Sequence, residues 1–381
     1  ANSIIYSQTL PVKKSLSRYI DRNKLITAID VIERQINEFG IDKDIWLWLH
    51  AFGLNQSKQY SGNIFSNVYR YYRIFNNDVD LRNRIESKLG ISYHDYIACS
   101  IWIYSVFGSK NGFCVPKSYL FSMGEKYKDT PFTIKNMNIV LSLITMSLTF
   151  IRDAIKDYIS YDENMFWLFN SPHIHFPLIE YETNIYCVSP QYLLHQITSG
   201  IYYIADIPNA NLVNQFGKSF ENYVGYIISE NNETNRYCIS PEVSYENSKK
   251  TSDWIIQDDC EIVFVECKTK RLKDHSKYQL SIDSENNPLL SDITILASGV
   301  TQLYKVYNDY RNSKVDKMPY DSSKRFVPIL VTLEYMLPSL PTINNRITDI
   351  VRDDLKKNGI DPSLLDAYPY HIISMSDFEY Y

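Results

Sequence analysis

Two apolar runs of strand length, Trp254-Ile255-Ile256 and Ile262-Val263-Phe264-Val265, flank the polar tetrapeptide Gln257-Asp258-Asp259-Cys260. This spacing predicts a hairpin between two buried strands. With Asp259 and Cys260 as the turn residues, antiparallel pairing sets Asp253 directly opposite Glu266. Opposite residues project to one face of a sheet, with Cβ atoms about 5 Å apart. Alternation along the strand puts Lys268 on the same face as Glu266. Two carboxylates and one ammonium thus converge at the end of an apolar hairpin, where a charge cluster is costly unless it is paired or binds something.

Such a trio suits a divalent metal and a phosphate. Two carboxylates supply the hard oxygen ligands that Mg²⁺ prefers while leaving waters in place. The lysine can orient or help deprotonate an attacking water, or stabilise charge in the transition state. A Glu-x-Lys alone says little, because both residues alternate on any solvated strand. The plain alternative is a paired surface trio at a strand end. The upstream aspartate in hairpin register, with apolar strands on both sides, is what gives the pattern weight.

The segment 211–335 resembles the PD-(D/E)XK nuclease superfamily, the restriction-endonuclease-like fold. The superfamily's aspartate falls on Asp253 and its (D/E)-x-K on Glu266-Cys267-Lys268. Its frequent first-helix glutamate falls on Glu221, and the glutamine that many members carry on a second helix fits Gln302. The chain departs from the pattern at Ser252, where proline is usual. The resemblance implies that Asp253 and Glu266 hold Mg²⁺, with Mn²⁺ able to substitute, and that the Cys267 carbonyl is a further ligand. It also implies that Lys268 positions or activates water, that Glu221 assists through a bound water or second ion, and that Gln302 supports.

The order of elements can be read independently. Phe216, Phe220, Tyr223, Val224 and Ile227 recur at helical spacing, predicting a helix over 211–229. Tyr237 to Ser240 and Val243 to Tyr245, interrupted by Pro241, predict a first, bulged strand. A second helix follows over 295–310 and a buried strand over 326–335, then a helix over 343–355 and a last strand over 371–375. Helix, strand, hairpin, helix, strand is the order a compact nuclease core requires. The polar segment 274–292 between the catalytic strand and the second helix is expected to be mobile.

Before this region the chain reads as mostly helical, with helices over 20–39, 44–54, 64–75, 91–107, 134–159 and 191–204. A hairpin is expected over 173–181 and 185–188, with His173 and His175 on one strand face. Two histidines without a third ligand are more often structural than metal-binding. The thirty-two tyrosines are spread through helices and strands alike, where packing accounts for them. A domain boundary is expected at Ile207-Pro208, giving a helical domain over 1–207 and a separable α/β nuclease domain over 208–381.

A formal net charge of −5 on 381 residues argues against indiscriminate coating of nucleic acid. The local pattern differs. Lys249 and Lys250 precede Asp253, and Lys270, Arg271, Lys273 and Lys277 follow Lys268, flanking the carboxylates with charge that phosphates would need. Six cysteines without a C-x-x-C pair predict a reduced, intracellular and cytoplasmic protein rather than a zinc site or disulfide framework. No signal peptide is read in the first thirty residues, and the longest apolar stretch, Ile139 to Ile151, is too short to span a bilayer. The expected activity is Mg²⁺-dependent phosphodiester hydrolysis, in DNA before RNA, in restriction or defence against foreign DNA. The helical domain would recognise a target, a protein partner or a second copy. The alternatives are an inactive nuclease-fold subunit and an RNA- or structure-specific nuclease.

Overall fold

The computed structural model describes residues 64–108, 113–126, 130–151, 153, 172–187, 189–232, 236–246, 248–272, 276, 287–336 and 340–380. The helices expected over 20–39 and 44–54 lie outside them, as do Lys273 and Lys277 and most of the segment expected to be mobile.

Helices dominate the first part: α1 (Ile64–Asn76), α2 (Val79–Leu89), α3 (Tyr93–Gly108), α4 (Lys117–Lys126), α5 (Ile134–Ile144), α6 (Pro190–Ile197) and the single turn α7 (Ile201–Ile204). Local chemistry sets their ends. The Asp78 side chain accepts from the Leu81 N–H at 2.9 Å to start α2, and Gly90 ends it with φ of 73°, a left-handed conformation that costs glycine little. Four short strands, β1 (Cys114–Pro116), β2 (Thr145–Ser147), β3 (Leu178–Tyr181) and β4 (Asn184–Cys187), form a small sheet in the order β1-β4-β3-β2.

Two sequence expectations are corrected here. The helix expected over 134–159 is broken after Ile144, because Thr145 turns extended and Thr145–Ser147 pairs in parallel with Leu178–Glu180, and helical backbone resumes over 148–151. The strand expected from His173 begins only at Leu178. His173 lies in a 3₁₀ turn over Pro172–Ile174, so it and His175 share no strand face. His173 is fully buried, and burial pushes its pKa down to about 4, favouring a neutral imidazole.

The second part is α/β. It runs α8 (Val213–Glu230), β5 (Cys238–Pro241), the two-residue strands β6 (Ser244–Tyr245) and β7 (Lys249–Lys250), β8 (Trp254–Gln257), β9 (Glu261–Lys268), α9 (Pro288–Arg311), β10 (Arg325–Thr332), α10 (Pro341–Lys357), the single turn α11 (Leu364–Ala367), β11 (His371–Ser374) and the single turn α12 (Met375–Phe378). Five strands make one mixed sheet in the order β11-β10-β9-β8-β5. β5, β8 and β9 are successive antiparallel neighbours, whereas β10 joins β9, and β11 joins β10, in parallel. α9 starts seven residues before the helix read from periodicity, because the Asn287 side chain accepts from the Leu289 N–H at 2.8 Å and Pro288 follows at the first helical position.

Alternation along the strands divides the packing between the two faces. Val265, Cys267 and Val331 pack with Phe216, Phe220 and Val224 of α8. Ile255, Phe264 and Leu330 pack with α9, beneath α10. Gly225 of α8 is required by contact, since a Cβ there would sit 2.0 Å from the Trp254 ring.

The apolar core under α8 continues into the helices before it. Phe75 of α1 stacks on Phe216 at 5.2 Å, and Tyr202 lies 5.0 Å from the same ring. A nearly buried ion pair joins Arg70 of α1 to Glu379 beyond α12 at 2.5 Å, and the Tyr223 hydroxyl of α8 donates to Glu379 at 2.7 Å. At the expected boundary, Ile207 is buried and the Arg84 side chain donates to the Ala205 carbonyl at 2.8 Å. The core crosses 207/208 without a break.

Candidate metal and phosphate site

The β8–β9 turn fixes everything else. Asp258 accepts from the N–H groups of Cys260 and Glu261, both at 2.8 Å, closing the chain over Asp259 and Cys260. These two bonds hold the Asp258 carboxyl below its ordinary pKa. The ladder then pairs Gln257 with Ile262, Ile256 with Val263, Ile255 with Phe264 and Trp254 with Val265. One further step sets Asp253 across from Glu266, the register the sequence predicts.

Asp253 is held in place by the neighbouring strand: its Oδ2 accepts from the Cys267 N–H at 2.7 Å. Burial pushes its pKa up to about 6. The Cys267 N–H and Lys268 work against that rise, and Glu221 and Glu242 add to it. Glu266 is 2 % exposed. Its Oε1 accepts from Lys268 Nζ at 2.7 Å. Its Oε2 is buried without a hydrogen-bond partner among the described residues. Burial, then the charge of Asp253, push Glu266 up to about 7 against the pull of Lys268. Burial works to lower the Lys268 pKa, but Glu266 and Asp253 outweigh it and hold the ammonium above its ordinary value. The Lys268 stem lies over α9 at Gly299, where an added Cβ would come within 3.2 Å of its Cε.

Glu221 arrives from the other face. Its helix α8 covers Val265 and Cys267, and the Trp254 indole N–H donates to the Glu221 carbonyl at 2.9 Å, tying it to the residue after Asp253. Its charge reaches both Asp253 and Glu266, raising each. Its carboxylate pairs with Lys218 at 2.6 Å. Cys267 turns its side chain into the core with α8, where burial holds the thiol well above its ordinary pKa. Gln302 sits half-buried on α9, one turn beyond Gly299, with no side-chain hydrogen bond to a described residue.

The expected phosphate contacts divide. Lys249 pairs with Asp309 of α9 at 3.0 Å, and Lys250 with Glu242 at 2.8 Å. Lys270 and Arg271 are corrections. Lys270 turns inward to the buried Asp292 at 2.8 Å. Arg271 is buried against Tyr202, 4.3 Å from its ring, donates to the Ser199 carbonyl at 3.0 Å and pairs with Glu334 at 3.5 Å. A linear run of basic residues does not show which of them the chain folds inward. Glu242 and Lys218 were missed in the sequence. The signal for Glu242 was available: β5 pairs Pro241 with Trp254, so the next step puts Glu242 beside Asp253, and its N–H donates to the Asp253 carbonyl at 2.9 Å.

No group of three or more His, Cys, Asp or Glu side chains is arranged to hold a metal ion among the described residues. The donors that remain are an unpaired Glu266 oxygen and the second oxygen of Asp253. Buried, hard and mutually repelling, they fit a divalent cation of the Mg²⁺ type that keeps most of its water. They do not fit zinc, whose sites take three or four protein ligands that include histidine or cysteine. No helix among the described residues is long and apolar enough to cross a membrane. No family model, no curated protein and no solved structure matches this chain.

Proposed function

We propose that the chain is a Mg²⁺-dependent nuclease of the restriction-endonuclease-like fold, cleaving phosphodiester bonds in DNA before RNA. One observation carries the reading: a glutamate 2 % exposed, with one oxygen on Lys268 and the other unpaired, opposite a second buried carboxylate. Leaving a buried carboxylate oxygen unsatisfied costs on the order of 1–3 kcal/mol, a cost that stability alone gives no reason to retain.

Asp253 and Glu266 would hold the cation, which when bound supplies positive charge to the phosphate and lowers the pKa of the attacking water. The chain's own groups do the rest. The Cys267 N–H fixes one Asp253 oxygen, leaving the other to face the site. Lys268 Nζ, held by Glu266 and by its stem over Gly299, is positioned to donate to the attacking water or to a phosphoryl oxygen. Glu221 and Glu242 stand at the rim as additional acceptors. The resemblance to restriction enzymes further points to defence against foreign DNA, and the free state of all six cysteines fits a reducing compartment such as the cytoplasm.

Incubating the purified chain with labelled DNA and RNA panels tests the reading. Cleavage should require Mg²⁺, stop with EDTA, be supported by Mn²⁺ and vanish in Glu266→Gln. A chain that cleaves no panel under any of these ions would overturn it.

A further inference from the structure

Of the basic residues that follow Lys268 in the sequence, Lys270 and Arg271 turn to interior partners, Asp292 for the first and Ser199 and Glu334 for the second. Two other ammonium groups border the site. Lys218 on α8 has a side chain 63 % exposed, with Nζ 2.6 Å from Glu221. Lys250 on β7 has a side chain 60 % exposed, with Nζ 2.8 Å from Glu242. The backbones of both glutamates are tied to the Asp253–Trp254 segment. The Trp254 indole donates to the Glu221 carbonyl at 2.9 Å, and the Glu242 N–H donates to the Asp253 carbonyl at 2.9 Å. Electrostatics joins the two lysines to one site. The Glu221 bond, then Asp253 and Glu242 among other charges, hold Lys218 above its ordinary pKa, while Lys250 is raised mainly by Glu242 and feels both Lys218 and Glu221.

Asp253 feels the charge of Glu221 and Glu242, and Glu266 that of Asp253 and Glu221, so a polyanion approaching these carboxylates needs compensating charge. Lys268 is already committed to Glu266. We propose that Lys218 and Lys250 receive the backbone phosphates of the substrate, exchanging their carboxylate partners for phosphate. This rests on the phosphodiesterase reading above. Exposed ion pairs contribute little stability, so the exchange costs little. Each phosphate contact also gains from released counterions. The ligand chemistry is a phosphodiester backbone, from duplex DNA or from RNA.

Fluorescence anisotropy with labelled duplex DNA and labelled single-stranded RNA, using Ca²⁺ in place of Mg²⁺ to keep the polymer intact, tests this at several salt concentrations. The double variant Lys218→Ala/Lys250→Ala should bind on the order of tenfold or more weakly. Its slope of log affinity against log salt on duplex should fall by about 1.8, the loss of two contacts. Lys218→Arg/Lys250→Arg should restore binding, since charge is what the contact requires. Lys357→Ala, on the exposed end of α10, should bind as the wild type does. The polymer that shows these losses is the one the rim serves. If the wild type binds and the double alanine variant binds equally with the same slope, the rim assignment is overturned and the nuclease reading stands. If the wild type binds neither polymer, both fall.

Discussion

Glu266 is where the account is most exposed to test at the scale of single residues. Its carboxyl is raised to about 7 and that of Asp253 to about 6, both chiefly by burial. For an acid whose folded pKa lies above its unfolded value, the folded state holds more protons in the interval between the two. Stability is therefore fully present below about pH 4 and is lost as pH rises towards 7. In EDTA the thermal midpoint should fall across that window. Glu266→Gln should flatten the fall and stabilise the metal-free chain by on the order of 1–3 kcal/mol at pH 8; an unchanged profile in the variant would show that Glu266 is not the strained group. Lys268→Ala should lower single-turnover cleavage by on the order of a hundredfold while changing substrate affinity little, because the role proposed for the ammonium lies in the transition state. Wild-type cleavage at saturating substrate would remove that role. The pairing of Asp253 with Glu266 was legible because a two-residue turn between apolar strands leaves one register. The inward turn of Arg271 was not, because its partners, Tyr202, Ser199 and Glu334, are some sixty to seventy residues distant along the chain.

At the scale of elements, the contact between α8 and β8 positions the site. Gly225 admits the Trp254 ring, and that ring's N–H holds the Glu221 carbonyl one residue from Asp253. Gly225→Ala should force helix and strand apart, costing about 1–3 kcal/mol. Measured by thermal melting and Mg²⁺ titration together, it should lower both stability and cation affinity; a loss of stability with unaltered affinity would mean that α8 does not set the site. Apolar periodicity made α8, β10 and α10 readable, and the polar turn between apolar runs made the hairpin readable, since each buries a stripe or a face. The end of α5 was hidden because Ile134 to Ile151 is apolar enough for a helix throughout, and only the distant Leu178–Glu180 edge draws Thr145–Ser147 into a strand. His173 misled for a related reason: Pro172 favours a turn, and the following apolar residues imitate a strand.

For the whole molecule, the shared core bears on how far the second half can stand alone. Phe75, Tyr202 and Phe216 pack together, and Arg70 closes on Glu379 across more than three hundred residues. A fragment starting at Pro208 would expose Phe216 and leave Glu379 without its guanidinium, a loss of about 3–5 kcal/mol for a buried pair. It should melt without cooperativity or aggregate, in contrast to the separable domain expected from the linker-like Ile207-Pro208-Asn209; a soluble fragment with a cooperative transition would contradict this. The helical layer then shares its core with the α/β half as well as being a candidate for recognition. The proposed chemistry depends on a cation between Asp253 and Glu266, and calorimetric titration of Mg²⁺ into the full chain tests for it most directly. Binding to the wild type should be saturable, and it should be lost or strongly weakened in both Asp253→Asn and Glu266→Gln while each variant remains folded. Equal Mg²⁺ affinity in the wild type and both variants would contradict that chemistry.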